Sequence, residues 1–111
     1  QMRQLFQNII SNAIKFKKDT VKPVMKIYAE EDEDYYLIYF EDNGIGFDEK
    51  YLDKIFNIFQ RLEGKKYKGS GIGLSICKKI ALRHNGDITA KSQLGKGSTF
   101  ILKLTKKLNA L

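Results

Sequence analysis

The run YYLIYFEDNGIGF, Tyr35 to Phe47, changes character halfway along. Its first seven residues are aromatic and aliphatic up to Glu41, the composition of a well-buried strand. Its second half is a glycine turn, where Gly44 and Gly46 offer conformations that other residues resist. Upstream, VMKIYAE has strand character and EDED, Glu31 to Asp34, supplies a hairpin turn between the two strands. Before them, Leu5, Phe6, Ile9, Ile10, Ala13 and Ile14 recur at helical spacing from Gln1 to about Lys18, and Pro23 breaks the chain. Downstream come a short amphipathic piece from Tyr51 to Phe59 and a polar, aperiodic stretch, Arg61 to Gly71, that reads as a mobile loop. Ile72, Ile76 and Ile80, with Cys77 and Ala81, then mark a second helix ending near Asn85-Gly86. DITAKS and STFILKL flank the turn QLGKG as the last two strands. This order predicts an α+β domain over residues 1–111: a two-layer sandwich with helices on one face of a mixed sheet.

A chain of 111 residues suits one domain with a real core. Hydrophobic residues make up 42% and charged residues 30%, with no repeat or low-complexity tract. No apolar run approaches the roughly 18 residues of a membrane helix. There is no signal-peptide pattern, and a start at Gln1 suggests a piece of something longer. The lone Cys77 has no partner for an internal disulfide, which suits a reducing cytoplasm. The net charge of +7 invites a polyanionic partner. Only Arg3, Arg61 and Arg83 among the 20 cations are arginine, which argues against a reader of DNA bases.

Glycine marks the places where a ligand could approach the backbone. In DNGIGF, Asp42 ends the strand. A carboxylate there can accept from the exocyclic amine of adenine and would reject guanine, whose carbonyl stands at the same point. As a bare dipeptide, Asn43-Gly44 is equally a plain turn. GSGIGL, Gly69 to Leu74, opens the second helix, where free N–H groups and the dipole favour phosphate. It is neither a dinucleotide fingerprint, since no strand precedes it, nor a P-loop. Arg61, Lys65, Lys66 and Lys68 could cover a triphosphate, or simply be solvated. GKGSTF, Gly95 to Phe100, is a glycine-bounded turn with Ser98 or Thr99 available to a ligand.

Asn8, Asn12 and Lys15 share one stripe of the first helix. Asparagine is a mediocre helix former. An outward polar face would explain the stripe, and so would a magnesium–phosphate site. Magnesium prefers oxygen ligands, and a neutral amide oxygen supplies one without repelling a triphosphate.

Taken in order, QNIISNAIKF, DNGIGF, IFNIFQRL, GSGIGLSICKKI and GKGSTF resemble the asparagine, glycine and phenylalanine boxes of sensor histidine kinases. The resemblance runs from Gln4 to about Leu104, and FQRLEGKKYKGSGIGLSICKKI is most similar to phytochrome-like and hybrid kinases. It implies a Bergerat-type ATP-binding fold, shared with type II topoisomerases and mismatch-repair ATPases, with ATP and Mg2+ as cofactors. By position it implies Asn12 and Asn8 at the metal, Lys15 and Arg61 at the phosphates, and Phe16 flanking the nucleotide. It places Asp42 on the adenine amine, with Gly44 and Gly46 closing around the base and Thr99 joining through water. Phe59 would steady the lid, Gly69, Gly71 and Gly73 would form its phosphate-side hinge, and Leu74 would also bind the nucleotide. Hydrolytic relatives carry glutamate where this chain has Asn8. An amide cannot act as a general base, so Asn8 favours transfer to a histidine over hydrolysis.

The only histidine, His84, matches a routine position at the end of the second helix and suits a capping role. The acceptor histidine would therefore lie on a separate dimerisation domain, absent here together with the strand that the family has before its first helix. The implied partners are that domain and a response regulator, with no nucleic acid or direct membrane contact, in the cytoplasm. A nucleotide-binding regulatory module without kinase activity is the alternative, and a basic nucleic-acid binder a remoter one.

Overall fold

The computed structural model describes residues 1–52, 56 and 70–106. Helix α1, Met2–Lys15, carries no side-chain cap at its start and ends with Lys15 in its last turn, where a cation suits the dipole. Strands β1, Met25–Glu31, and β2, Tyr35–Asp42, form the first hairpin. Asp32 closes it by accepting from the N–H groups of Asp34 (2.9 Å) and Tyr35 (2.8 Å). A 3-10 turn, Glu49–Tyr51, follows; Asp48 caps it through the N–H of Lys50. Helix α2, Ser70–Arg83, leads into the second hairpin, β3, Asp87–Gln93, and β4, Gly97–Thr105. Asn85 stops α2 in the left-handed region at φ 59°, and the Gly86 N–H reaches back to the Ala81 carbonyl at 2.9 Å.

The sheet order is β1-β2-β4-β3. All three described pairings are antiparallel, which corrects the expected mixed sheet. Two hairpins laid edge to edge give that result, because β2 and β4 run in opposite senses where they meet. The two-layer sandwich itself stands. Phe40, Phe100, Leu102, Ile88, Leu5, Ile9 and Cys77 form a fully buried core between the helices and one sheet face. The ring edge of Phe6 meets Phe40 at 5.0 Å, which seats α1 over β2.

The strand from Tyr35 is less buried than its composition predicts: only Phe40 is fully enclosed. Alternate residues of a strand point to opposite faces, and among the described residues both helices lie on one of them. Tyr39 therefore stacks on Tyr28 at 4.8 Å on the outer face, and Lys103 sits 4.1 Å from the ring of Tyr35. The amphipathic piece expected from Tyr51 to Phe59 and the mobile loop expected beyond Arg61 fall mostly outside the described residues.

Candidate functional site

A cavity open to solvent, whose empty space with that solvent included is about 440 Å³, lies between α1, the loop after β2, the start of α2 and the inner ends of β2 and β4. Ala13, Phe16, Ile45, Phe47, Leu74 and Phe100 make most of its surface apolar, and its polar groups come from Asn12, Asp42 and Ser98. Apolar walls with a few placed polar groups are the usual form of a small-molecule site.

Its floor is set by strand register. Asp42 ends β2 and lies opposite Ser98 of β4, which lies opposite Ser92 of β3. Partial burial pushes the Asp42 carboxyl above its ordinary range, and N–H donation from Gly44 (2.9 Å) and from the Ser98 backbone offsets part of this. Ser92 Oγ accepts from the Phe47 N–H (2.8 Å), bonds the Gly97 carbonyl (3.0 Å) and touches Ser98 Oγ at 2.9 Å. The Ser92 N–H donates to Glu49 at 2.8 Å, anchoring the 3-10 turn.

Glycine does here what no other residue can, for a reason that spacing hides. A Cβ on Gly44 would stand 2.6 Å from the Phe16 carbonyl oxygen. Gly46, at φ +69°, would put one 2.2 Å from the Gln93 carbonyl oxygen, and Gly97, at φ +106°, one 2.1 Å from that of Asp42. These glycines let backbone pack on backbone and so shape the cavity; for Gly44 and Gly46 the resemblance implies that the backbone closes around a base. Asn43 adds a clamp. Its side chain accepts from the Val24 N–H (2.9 Å) and donates to the Lys22 carbonyl (3.0 Å). The Ile45 N–H meanwhile bonds the Phe16 carbonyl at 3.0 Å, tying the loop to the end of α1.

The helical wall is different. Asn12 Oδ1 is buried and has no hydrogen-bond partner among the described residues. A buried amide oxygen left unpaired costs about 1–3 kcal/mol, so its retention points to a ligand that meets it. Asn8, one turn earlier and half-buried, hydrogen-bonds Cys77 of α2. Burial pushes that thiol up to about 11, with the Asn8 contact opposing. The Cys77 thiol also faces the Leu5 carbonyl at 3.6 Å.

The structure thus brings Asn12, Phe16, Asp42, Gly46 and Leu74 of the expected residues to one cavity, with Gly44 directly behind it. Asn8 turns toward α2 and Lys15 is exposed at the end of α1; neither lines the cavity. Contrary to expectation, Thr99 does not line the cavity and its neighbour Ser98 does. Thr99 pairs with Glu41, one step out of phase with Asp42, and so lies on the opposite sheet face. Gly71 and Gly73 fall within the first turn of α2. Phe59, Arg61 and Gly69 lie outside the described residues. Ser92 was missed altogether, because only the pairing of β3 with β4 reveals it. Among the described residues no three His, Cys, Asp or Glu side chains cluster to hold a metal, and no helix is long and apolar enough to cross a membrane.

Comparison with known proteins gives a consistent picture. The family described as histidine kinase-, DNA gyrase B-, and HSP90-like ATPases matches residues 1–108. Cyanobacterial phytochrome A of a Nostoc species is 52% identical over 90% of this chain, and the aerobic respiration control sensor protein ArcB of Escherichia coli is 40% identical over 94%. The chain spans only 13% and 14% of those two relatives. A nucleotide-free structure of the catalytic domain of histidine kinase ThkA superposes with a TM-score of 0.78 at 27% identity, covering 97% of this chain and 68% of that one. With its antiparallel sheet under two helices and a cavity between α1 and the inner strand ends, the chain belongs to the histidine kinase-, DNA gyrase B- and HSP90-like ATPase family, on its histidine-kinase side.

Proposed function

We propose that the cavity binds Mg-ATP and that the domain passes the γ-phosphate to a histidine on a separate dimerisation domain, for relay to a response regulator. One observation carries the reading. A half-buried carboxylate stands on the floor and an unpaired buried amide oxygen on the wall of a single, mostly apolar cavity.

Asp42 would accept from the adenine amine, and Phe16, Ile45 and Phe47 would enclose the ring. Asn12 Oδ1 fits a magnesium ligand, since the ion prefers oxygen and takes the rest of its shell from phosphate and water. That suits a site where the described residues offer no cluster of three His, Cys, Asp or Glu. Bound magnesium would neutralise charge on the phosphates. Lys15, exposed one turn beyond Asn12, is placed to approach phosphates outside the cavity, and Arg61 is assigned there by resemblance alone. Asn8 reaches the site in this reading by turning from Cys77 toward the phosphates. As an amide it cannot deprotonate water, so the acceptor is a nucleophile that needs no base from this domain, such as a neutral imidazole.

Calorimetric titration with ATP, with and without magnesium, tests the binding step. Binding that is tighter with magnesium, and loses that gain in Asn12→Asp, supports the reading; no ATP binding sinks it. Labelled ATP mixed with this domain and its phosphoacceptor domain tests transfer. Binding without transfer leaves a regulatory module.

A further inference from the structure

Asp42, Ser98 and Ser92 form one row across three strands, with the cavity at one end and Ser92 at the other. Ser92 Oγ takes part in three contacts, with the Phe47 N–H at 2.8 Å, the Gly97 carbonyl at 3.0 Å and Ser98 Oγ at 2.9 Å. A hydroxyl has one proton and two lone pairs. The Phe47 N–H can only donate and takes one lone pair. The Gly97 carbonyl can only accept and takes the Ser92 proton. The Ser98 contact then contains a proton only if Ser98 donates it. A single arrangement satisfies all three, and it leaves Ser98 Oγ facing the cavity with lone pairs alone. Ser98 itself is buried, so water cannot freely reorient it.

We propose that Ser92 is a positioning residue that sets the hydrogen-bond polarity of the cavity floor. It pins Ser98 as an acceptor beside the acceptor Asp42, so that the floor admits a base edge, or a water, that donates. The proposal rests on the reading of the cavity as a nucleoside triphosphate site and names what enforces its choice of base. An amino-purine edge suits two acceptors. An oxo-purine edge sets a carbonyl against them, and a freed Ser98 hydroxyl would relieve that clash by donating.

The experiment is calorimetric titration of the 111-residue chain with ATP and with inosine triphosphate, whose base replaces the amine by a carbonyl. Ser92→Thr and Ser92→Val have nearly the same shape and differ in the hydroxyl. The expected result is that Ser92→Thr keeps the preference for ATP while Ser92→Val loses about tenfold of it. In a Ser98→Ala background the two become equal. A purely structural role would weaken both nucleotides alike. Equal ratios for the Thr and Val variants overturn the proposal. Should Ser92→Val not fold, Ser98→Ala alone decides: it must lower the ATP preference, and an unchanged ratio overturns the proposal. If the wild-type chain binds neither nucleotide, the nucleotide reading fails and this fails with it. If it binds both and only the ratios stay flat, the reading stands and Ser92 has no such role.

Discussion

The floor of the cavity and its helical wall are both polar and partly buried, yet they treat their polar atoms in opposite ways. On the floor, the Asp42 carboxylate is met by two backbone N–H groups, and the Ser92 hydroxyl has a partner on every side. On the wall, Asn12 Oδ1 meets nothing among the described residues. A satisfied network is rigid before any ligand arrives, whereas an unpaired buried oxygen is completed only by one. The floor recognises, in this reading, and the wall waits for the metal.

The surest way to break the floor is through its backbone. Gly46→Ala sets a side chain against the Gln93 carbonyl in a left-handed conformation. It should cost about 3–4 kcal/mol, read as a lowered thermal midpoint without ligand. Asp42→Asn should weaken ATP binding by about a hundredfold and loosen the choice of adenine over guanine. It should also raise the stability of the free domain at neutral pH. Burial holds the Asp42 carboxyl above its ordinary value, so the stability its neutral form gives is full below the ordinary value and is lost as pH rises through the raised one. The gap between variant and wild type should therefore close as pH falls and Asp42 takes a proton, which denaturant melts at several pH values will show.

The wall should respond in the reverse sense. Asn12→Leu removes the unpaired oxygen and should stabilise the free domain by about 1 kcal/mol while lowering Mg-ATP affinity at least about tenfold. Loss of both stability and binding would mean that the fold, and not a ligand, needs the Asn12 amide. Asn43→Ala, which releases Lys22 and Val24, should cost about 1 kcal/mol. The smallest effect concerns Cys77. Its thiol is buried and raised from 9 to about 11, so stability should decline only as pH rises through that interval. Alkylation at neutral pH should be slow in the folded chain and fast once denatured.

Much of this was legible in the sequence, and the misses share a cause. Helical spacing located α1 and α2, and the turn residues marked both hairpins. Asn12 and Asp42 could be chosen because amide and carboxylate chemistry limits what each can bind. What failed depended on pairing across strands. Thr99 and Ser98 are indistinguishable until register assigns them to opposite faces, and Ser92 matters only because it lies opposite Ser98. The mixed sheet and the overburied β2 were errors of the same kind, since strand direction and face are properties of neighbours. The spacing of the glycines showed where the chain is crowded without saying that the crowding is with itself.

The bond from the Ile45 N–H to the Phe16 carbonyl, with Gly44 pressed against the same oxygen, has a mechanical consequence. It fastens the end of α1 to the loop that carries the floor, and Asn43 fastens the connection after α1 to the same loop. These bonds couple helix to strand and resist a change in the width of the cavity. In the nucleotide reading, a flat base of fitting thickness would enter without breaking them, while anything thicker would strain backbone bonds. Size selection of this kind would operate before any polar group is consulted.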